Sequence, residues 1–298
     1  MPSLAVIGAP SSAGAYAPGQ ELAPGALREA GLLRLIEDGG GVVNDRGDTT
    51  LRRWSPDHAS RRAQNVAAVE ATIAEVSKAV ATSMVDGELP LVLGGDCTVG
   101  IGAVRALTAA TAAAGLVYLD LHADMNTPDT TIDGALDWMG VAHMLGLPGS
   151  VEQLSQPPLL LPGQVSLLGL DDSQATAAER ERVAQLAVPV TPVTALAADP
   201  AAAARAALAL LPQCQRLAVH FDVDVIDFVE APLSENTGRN VGVRLDTALA
   251  ALAELLADAR VAVVTVTELN PLHGAADGST VAEFARGVAA GLAPRSGA

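Results

Sequence analysis

Positive charge, cysteine, aromatic rings and long apolar runs are all scarce in this chain of 298 residues. Lys and Arg number 18 against 34 Asp and Glu, a formal net charge of −16 that repels a phosphate backbone or an anionic membrane. Nucleic acid and membrane are therefore not expected partners. Cys97 and Cys214 lie far apart and form no CxxC, so there is no disulfide framework, and a reduced, cytoplasmic compartment is expected. The stretch from Met1 to Pro10 has no basic region, and Gly8 and Pro10 break it before signal-peptide length. No run approaches the roughly 18 continuous apolar residues of a membrane span. Aromatics make up only 2%, yet 50% of residues are apolar, enough for a sizeable core and incompatible with disorder, collagen or a small disulfide scaffold.

Short β-branched or Leu-rich runs alternate with Ala-rich amphipathic stretches, the pattern of a parallel sheet with crossover helices. The strand-like runs are Leu4–Gly8, Gly41–Asn44, Leu89–Leu93, Leu116–Asp120, Val165–Gly169, Val188–Thr191, Leu217–Asp222 and Val261–Thr267. Helices are expected over Ala26–Glu37, Arg61–Met84, Val99–Ala113, Ala175–Gln185, Ala201–Leu211, Leu245–Leu256 and Thr280–Leu292. No repeat or long linker interrupts the alternation, so a single domain over 1–298 is expected. Such a sheet places its ligand site at the C-terminal ends of the strands.

Polar residues gather at those ends. After the fourth run the chain reads Asp120-Leu121-His122-Ala123-Asp124, and in extended backbone the three polar residues project from one face. The seventh run ends with Asp222-Val223-Asp224. Four carboxylates packed together repel one another unless cations sit among them. The plainer alternative is a pair of strand-end turns with capping aspartates. The third run ends Gly94-Gly95-Asp96-Cys97, where the glycines permit a tight turn and Cys97 is either a ligand or a small buried hydrophobe. Glu268, after the last run, is either a cap or a partner for a cationic substrate.

These segments resemble the ureohydrolase family of arginases and agmatinases over nearly the whole chain. The resemblance rests on Gly94-Gly95-Asp96, Asp120-x-His122-x-Asp124, Asp222-x-Asp224 and Glu268-x-Asn270-Pro271. Ile7-Gly8-Ala9-Pro10, Leu27 to Leu32 and Asn126-Thr127-Pro128 are most similar to the arginase branch. It implies a three-layer α/β/α fold around an eight-stranded parallel sheet and two Mn2+ per chain. By the same resemblance, Asp120 and Asp222 bridge the ions, Cys97 and Asp124 complete one, and His122 and Asp224 complete the other. A bridging hydroxide, oriented by Asp124, attacks a guanidinium carbon held by Glu268 and releases a urea-type product and an amine. The resembled families include homo-oligomers as well as monomers.

Several positions depart from the family pattern. Cys97 stands where His is usual, a softer ligand that leaves room for other divalent metals and resembles enzymes hydrolysing Nω-hydroxy-L-arginine. Asp137 occupies the position of a proton-shuttling His, with an ordinary pKa of about 3.9. His143, six residues on, reads as structural. In the resembled recognition loop Asn126 and Thr131 match, whereas Asp133 replaces a carboxylate-binding Ser and Gln174 an amine-binding Asp. The expected function is metal-dependent hydrolysis of an arginine-like guanidino compound, Nω-hydroxy-L-arginine included. Alternatives are formimino or other C–N hydrolysis on the same binuclear site, or a non-catalytic binding protein.

Overall fold

The computed structural model describes residues 3–293; Met1 and Pro2, which open the stretch read above for a leader, and 294–298, at the end of the expected domain, lie outside the described residues. Eight strands form one sheet: β1 (Leu4–Gly8), β2 (Val43–Asp48), β3 (Leu89–Leu93), β4 (Ala114–Leu119), β5 (Val165–Leu170), β6 (Val190–Pro192), β7 (Arg216–Asp222) and β8 (Val261–Thr267). All pairings are parallel, in the order β2-β1-β3-β8-β7-β4-β5-β6. The helices are α1 (Ala23–Glu29), α2 (Leu32–Asp38), α3 (Val66–Val85), α4 (Val99–Ala110), α5 (Gly140–Leu145), α6 (Glu152–Ser155), α7 (Ala177–Leu186), α8 (Val193–Ala198), α9 (Pro200–Ala209), α10 (Leu245–Leu255) and α11 (Ser279–Leu292). Among the described residues, no helix is long and apolar enough to cross a membrane.

The strand alternation divides the core in two. Leu217, Val219 and Phe221 of β7 face one side with Leu252 of α10 and Phe284 of α11. Leu116 and Tyr118 of β4 face the other, with Ile73 of α3 and Leu107 of α4. Layers on both faces explain why β3, β4 and β5 are buried along their whole length and carry no polar alternation. Phe221 and Phe284 stack at 5.9 Å, and truncating either to Ala removes about 3–5 kcal/mol of packing.

Several expected boundaries move for local reasons. β2 runs on to Asp48 rather than stopping at Asn44, because an edge strand pairs on one side only and tolerates Asp45, Arg46 and Asp48, with Arg28 bridging both aspartates. The helix expected over Ala26–Glu37 is two helices, broken at Gly31, whose φ of 82° is left-handed. The expected first turn of Arg61–Met84 is instead a loop, with Gln64 N–H donating to Gly134 O and its side chain to Asp133 O. The short helices α5, α6 and α8 were not expected; each is too brief for a full amphipathic period.

Candidate metal centre and active site

The four central strands, β3, β8, β7 and β4, are neighbours in the sheet, so their C-terminal ends meet at one edge. The turn after β3 is forced close by glycine: a Cβ on Gly95 would stand 1.6 Å from Ser11 O. That turn carries Cys97, whose N–H donates to Glu268 Oε1 at 3.0 Å. The Cys97 thiol donates from Sγ to Asp222 Oδ2 at 2.9 Å. Asp222 Oδ1 accepts the N–H of Asp224 at 2.7 Å, and Asp120 Oδ1 accepts that of His122 at 2.6 Å. In each Asp-x-Xaa segment the first carboxylate thus holds the backbone of the residue two positions on, which fixes both ligand-type side chains together.

His122 Nδ1 lies 2.9 Å from Asp224 Oδ2, and Tyr118 donates its hydroxyl to Asp124 Oδ2 at 2.5 Å. Cys97, Asp120 and Asp124 form one group of donors within 4.8 Å; Asp120, His122 and Asp224 form a second. Asp124 and Glu268 both hold left-handed backbone, with φ of 48° and 65°, a cost that non-glycine residues carry only where the surroundings impose it.

The electrostatics are those of a site short of positive charge. Burial pushes the carboxyls of Asp124, Asp222 and Glu268 far up, and neighbouring carboxylates add to it. Asp120 rises to about 7, from burial and then from Asp224. His122 is held protonated by Asp224 and Asp120 against the opposing effect of its burial. Asp120 Oδ2 and Asp224 Oδ1 are buried without a hydrogen-bond partner. Buried acceptors left bare among mutually repelling carboxylates fit divalent cations, which supply both the missing partner and the missing charge.

A cavity of about 30 Å3 opens among Cys97, His122, Asp124, Asp222, Asp224 and Glu268. Asp137 lines it too, and its carboxyl is pushed well above the ordinary range by burial and then by Asp96 and Asp133. Four other residues at or beside the cavity carried no signal that sequence reasoning used. Tyr16, Trp138 and Asn236 line it, and Gln20 donates from Nε2 to Glu268 Oε2. Asn236 Nδ2 donates to Asp224 Oδ2 at 3.1 Å, and Asn270 steadies that loop through Glu235 at 2.5 Å. His220 is a further omission. It lies two residues before Asp222 on the same strand face, completes a donor group with Cys97 and Asp222, and is held neutral by burial with its pKa lowered to about 3.

The residues expected to recognise the rest of a substrate do not line this cavity. Asn126 Oδ1 accepts from Thr130 and from Thr176, the N-cap of α7, at 3.0 and 2.9 Å, while its Nδ2 is buried without a partner. Thr131 Oγ1 is likewise buried and bare. Asp133 Oδ1 accepts the N–H of Ala135 at 3.1 Å, and Gln174 is exposed with its amide donating to Ser173 Oγ at 3.0 Å. His143 is buried and neutral, lowered to about 4 by desolvation, and accepts the N–H of Val151 at 3.3 Å.

A sequence profile of the arginase family matches residues 2–291. An arginase of Agrobacterium fabrum is 31% identical over 280 residues, covering 89% of this chain and 83% of its own. The structure of an arginase from Bacillus subtilis superposes with a TM-score of 0.85 at 22% identity over 99% of both chains. A Trypanosoma cruzi formiminoglutamase variant with Mn2+ superposes with a TM-score of 0.74 at 17% identity, covering 98% of this chain and 94% of its own.

Proposed function

The chain belongs to the arginase family, and from that premise we propose that it is a manganese-dependent amidinohydrolase acting on a small arginine-like guanidino compound, Nω-hydroxy-L-arginine among them. The observation that carries the reading is the convergence of Cys97, Asp120, His122, Asp124, Asp222 and Asp224 around buried carboxylate oxygens that have no partner. In this reading two divalent cations would be held by these six residues, with Asp120 and Asp222 serving both, Cys97 and Asp124 one, and His122 and Asp224 the other. Divalent cations bound there supply positive charge and acidify water to near neutral pH.

The chain's own residues do the rest. Tyr118 fixes Asp124 through its hydroxyl, so Asp124 is oriented to accept a proton from the attacking water. Glu268 is the anion for the guanidinium. Both its oxygens already accept hydrogen bonds, from Cys97 N–H and the Gln20 amide, so a substrate N–H shares or displaces the Gln20 contact. A cationic group beside Glu268 offsets the burial that pushes its carboxyl up and keeps it ionised. Asp137, whose carboxyl burial pushes well above the ordinary range, is placed in the cavity to carry a proton to the leaving nitrogen, the task for which an ordinary Asp is too acidic. Asn126, Thr131, Asp133 and Gln174 stand outside the cavity lining, and in this reading their segments select the part of the substrate beyond the guanidine.

The test is to incubate Mn2+-loaded protein with guanidino and N-hydroxyguanidino compounds and identify every urea, hydroxyurea and amine by mass spectrometry. Release from one compound is expected. Silence across the panel with two ions bound contradicts the reading and favours a formimino or other C–N substrate, or a binding role.

A further inference from the structure

The face of the sheet that carries the candidate ligands has an unusual layer beneath them. On β7 the residue one pleat before Asp222 is His220, which registers with Tyr118 on β4 and Thr265 on β8. One pleat deeper the same face is apolar, with Leu116 and Ala218 in the core. A polar row of Tyr118, His220 and Thr265 therefore lies between the core and the cluster of carboxylates.

His220 is fully enclosed and every polar atom of it has a partner. Its Nδ1 lies 2.8 Å from Thr265 Oγ1, and its Nε2 lies 3.2 Å from Cys97 Sγ and 3.0 Å from Thr267 Oγ1. The ring stacks on Tyr118 at 4.3 Å with planes 2° apart. Space for it is provided by Gly100, where a Cβ would stand 2.6 Å from Nδ1. Nδ1 is the one hydrogen-bond partner of the Thr265 hydroxyl among the described residues, and the tautomer that satisfies that hydroxyl's own proton has it donate to Nδ1 and leaves the ring proton on Nε2. Nε2–H is then directed at Cys97 Sγ and Thr267 Oγ1.

We propose that His220 is a positioning residue for Cys97: with its tautomer set by Thr265, it donates Nε2–H to the Cys97 sulfur and supports it as a thiolate ligand of a divalent cation. The proposal rests on the metal-centre reading above. A hydrogen bond to a ligating sulfur withdraws electron density from it, so the cation keeps more of its Lewis acidity than with an unsupported thiolate. Thr267 Oγ1, 3.2 Å from the same sulfur, is a second polar neighbour. Without a cation the thiol instead donates to Asp222 Oδ2, which a cation would displace. This arrangement gives Cys97 a surrounding that a small buried hydrophobe does not need.

The test titrates the metal-free full chain with CoCl2 and follows the near-ultraviolet thiolate-to-cobalt band, with bound metal counted by mass spectrometry. The wild type is expected to show the band and Cys97→Ser to lose it. His220→Ala should shift the band and weaken cobalt binding roughly 10- to 100-fold, the usual cost of losing a ligand's hydrogen-bond partner. His220→Gln, which retains an N–H donor, should recover part of both. Thr265→Val keeps the ring and the fold while removing the tautomer-setting hydroxyl, and should move the band in the same direction by less. An unchanged band and affinity in folded His220→Ala or in Thr265→Val overturns the proposal. Two bound ions with no thiolate band in the wild type overturn it while leaving the metal-centre reading standing, whereas no metal uptake at all defeats that reading.

Discussion

The strand-end cluster, one part of which ends at Asp124, and the segment 126–134 that follows it are built on different terms. In the cluster, ligand-type side chains from β3, β4 and β7 point at one another, and two of their oxygens have no protein partner. In the segment, Asp133 and Asn126 use oxygens to accept from nearby N–H and hydroxyl groups, and of its buried side-chain atoms Asn126 Nδ2 and Thr131 Oγ1 have no partner. Sheet register fixes the first region, because a residue at a strand end is placed to within the pleat. Loop packing fixes the second, with Arg182 of α7 holding the Thr127 hydroxyl at 3.0 Å. In the proposed reading the reaction centre would be set by the sheet, and substrate choice would be left to a loop that can change without disturbing it.

The comparison breaks most decisively at the two carboxylates proposed to bridge the ions. Asp120→Ala or Asp222→Ala should abolish both turnover and metal uptake while leaving the protein folded, as followed by product release and metal content. Retained activity in either variant would mean that the cluster is not the reaction centre. Glu268→Gln should keep the metals and lower kcat/KM by the equivalent of about 2–5 kcal/mol, the usual cost of truncating one side of a buried charge pair. Steady-state kinetics and metal content together check it.

A pH titration of stability sharpens the same contrast. Asp120 sits at about 7 in the folded chain, from an ordinary value of 3.8, so folding binds its proton more tightly than the unfolded chain does. For this group the metal-free protein is most stable below its ordinary pKa and loses that stability as pH rises through about 7. Thermal melts of metal-free protein should therefore fall in Tm over that window, and added Mn2+ should abolish the fall. In the loop segment the effects are smaller. Asp133→Ser should improve kcat/KM for substrates bearing an α-carboxylate by roughly fivefold, since a like charge near 4 Å in water costs about 1 kcal/mol. Metal content should stay the same.

How much of this was legible in the sequence follows the same division. Period-two spacing brought Asp120, His122, Asp124, Asp222 and Asp224 to notice, because a strand end projects alternate residues to one side. His220 obeys the same period and extends it by one pleat, so the pattern held that signal as well. Tyr16 and Asn236 reach the site from loops and Gln20 from the single 3-10 turn Gln20–Leu22, where spacing carries little geometric meaning. The edge strand β2 ran past its apolar residues because only one of its sides is paired, and the break at Gly31 turned on a left-handed φ rather than on hydrophobic period. Asp137 kept an ordinary acidity when read from sequence; its burial is a property of the folded surroundings.

The most direct measurement is the metal content of the chain after loading with Mn2+ and exhaustive dialysis, made in parallel on wild type and Asp120→Asn. Two ions per wild-type chain and fewer in the variant is the predicted result. One ion or none in the wild type, or an unchanged count in the variant, would contradict the account of a binuclear centre bridged at Asp120.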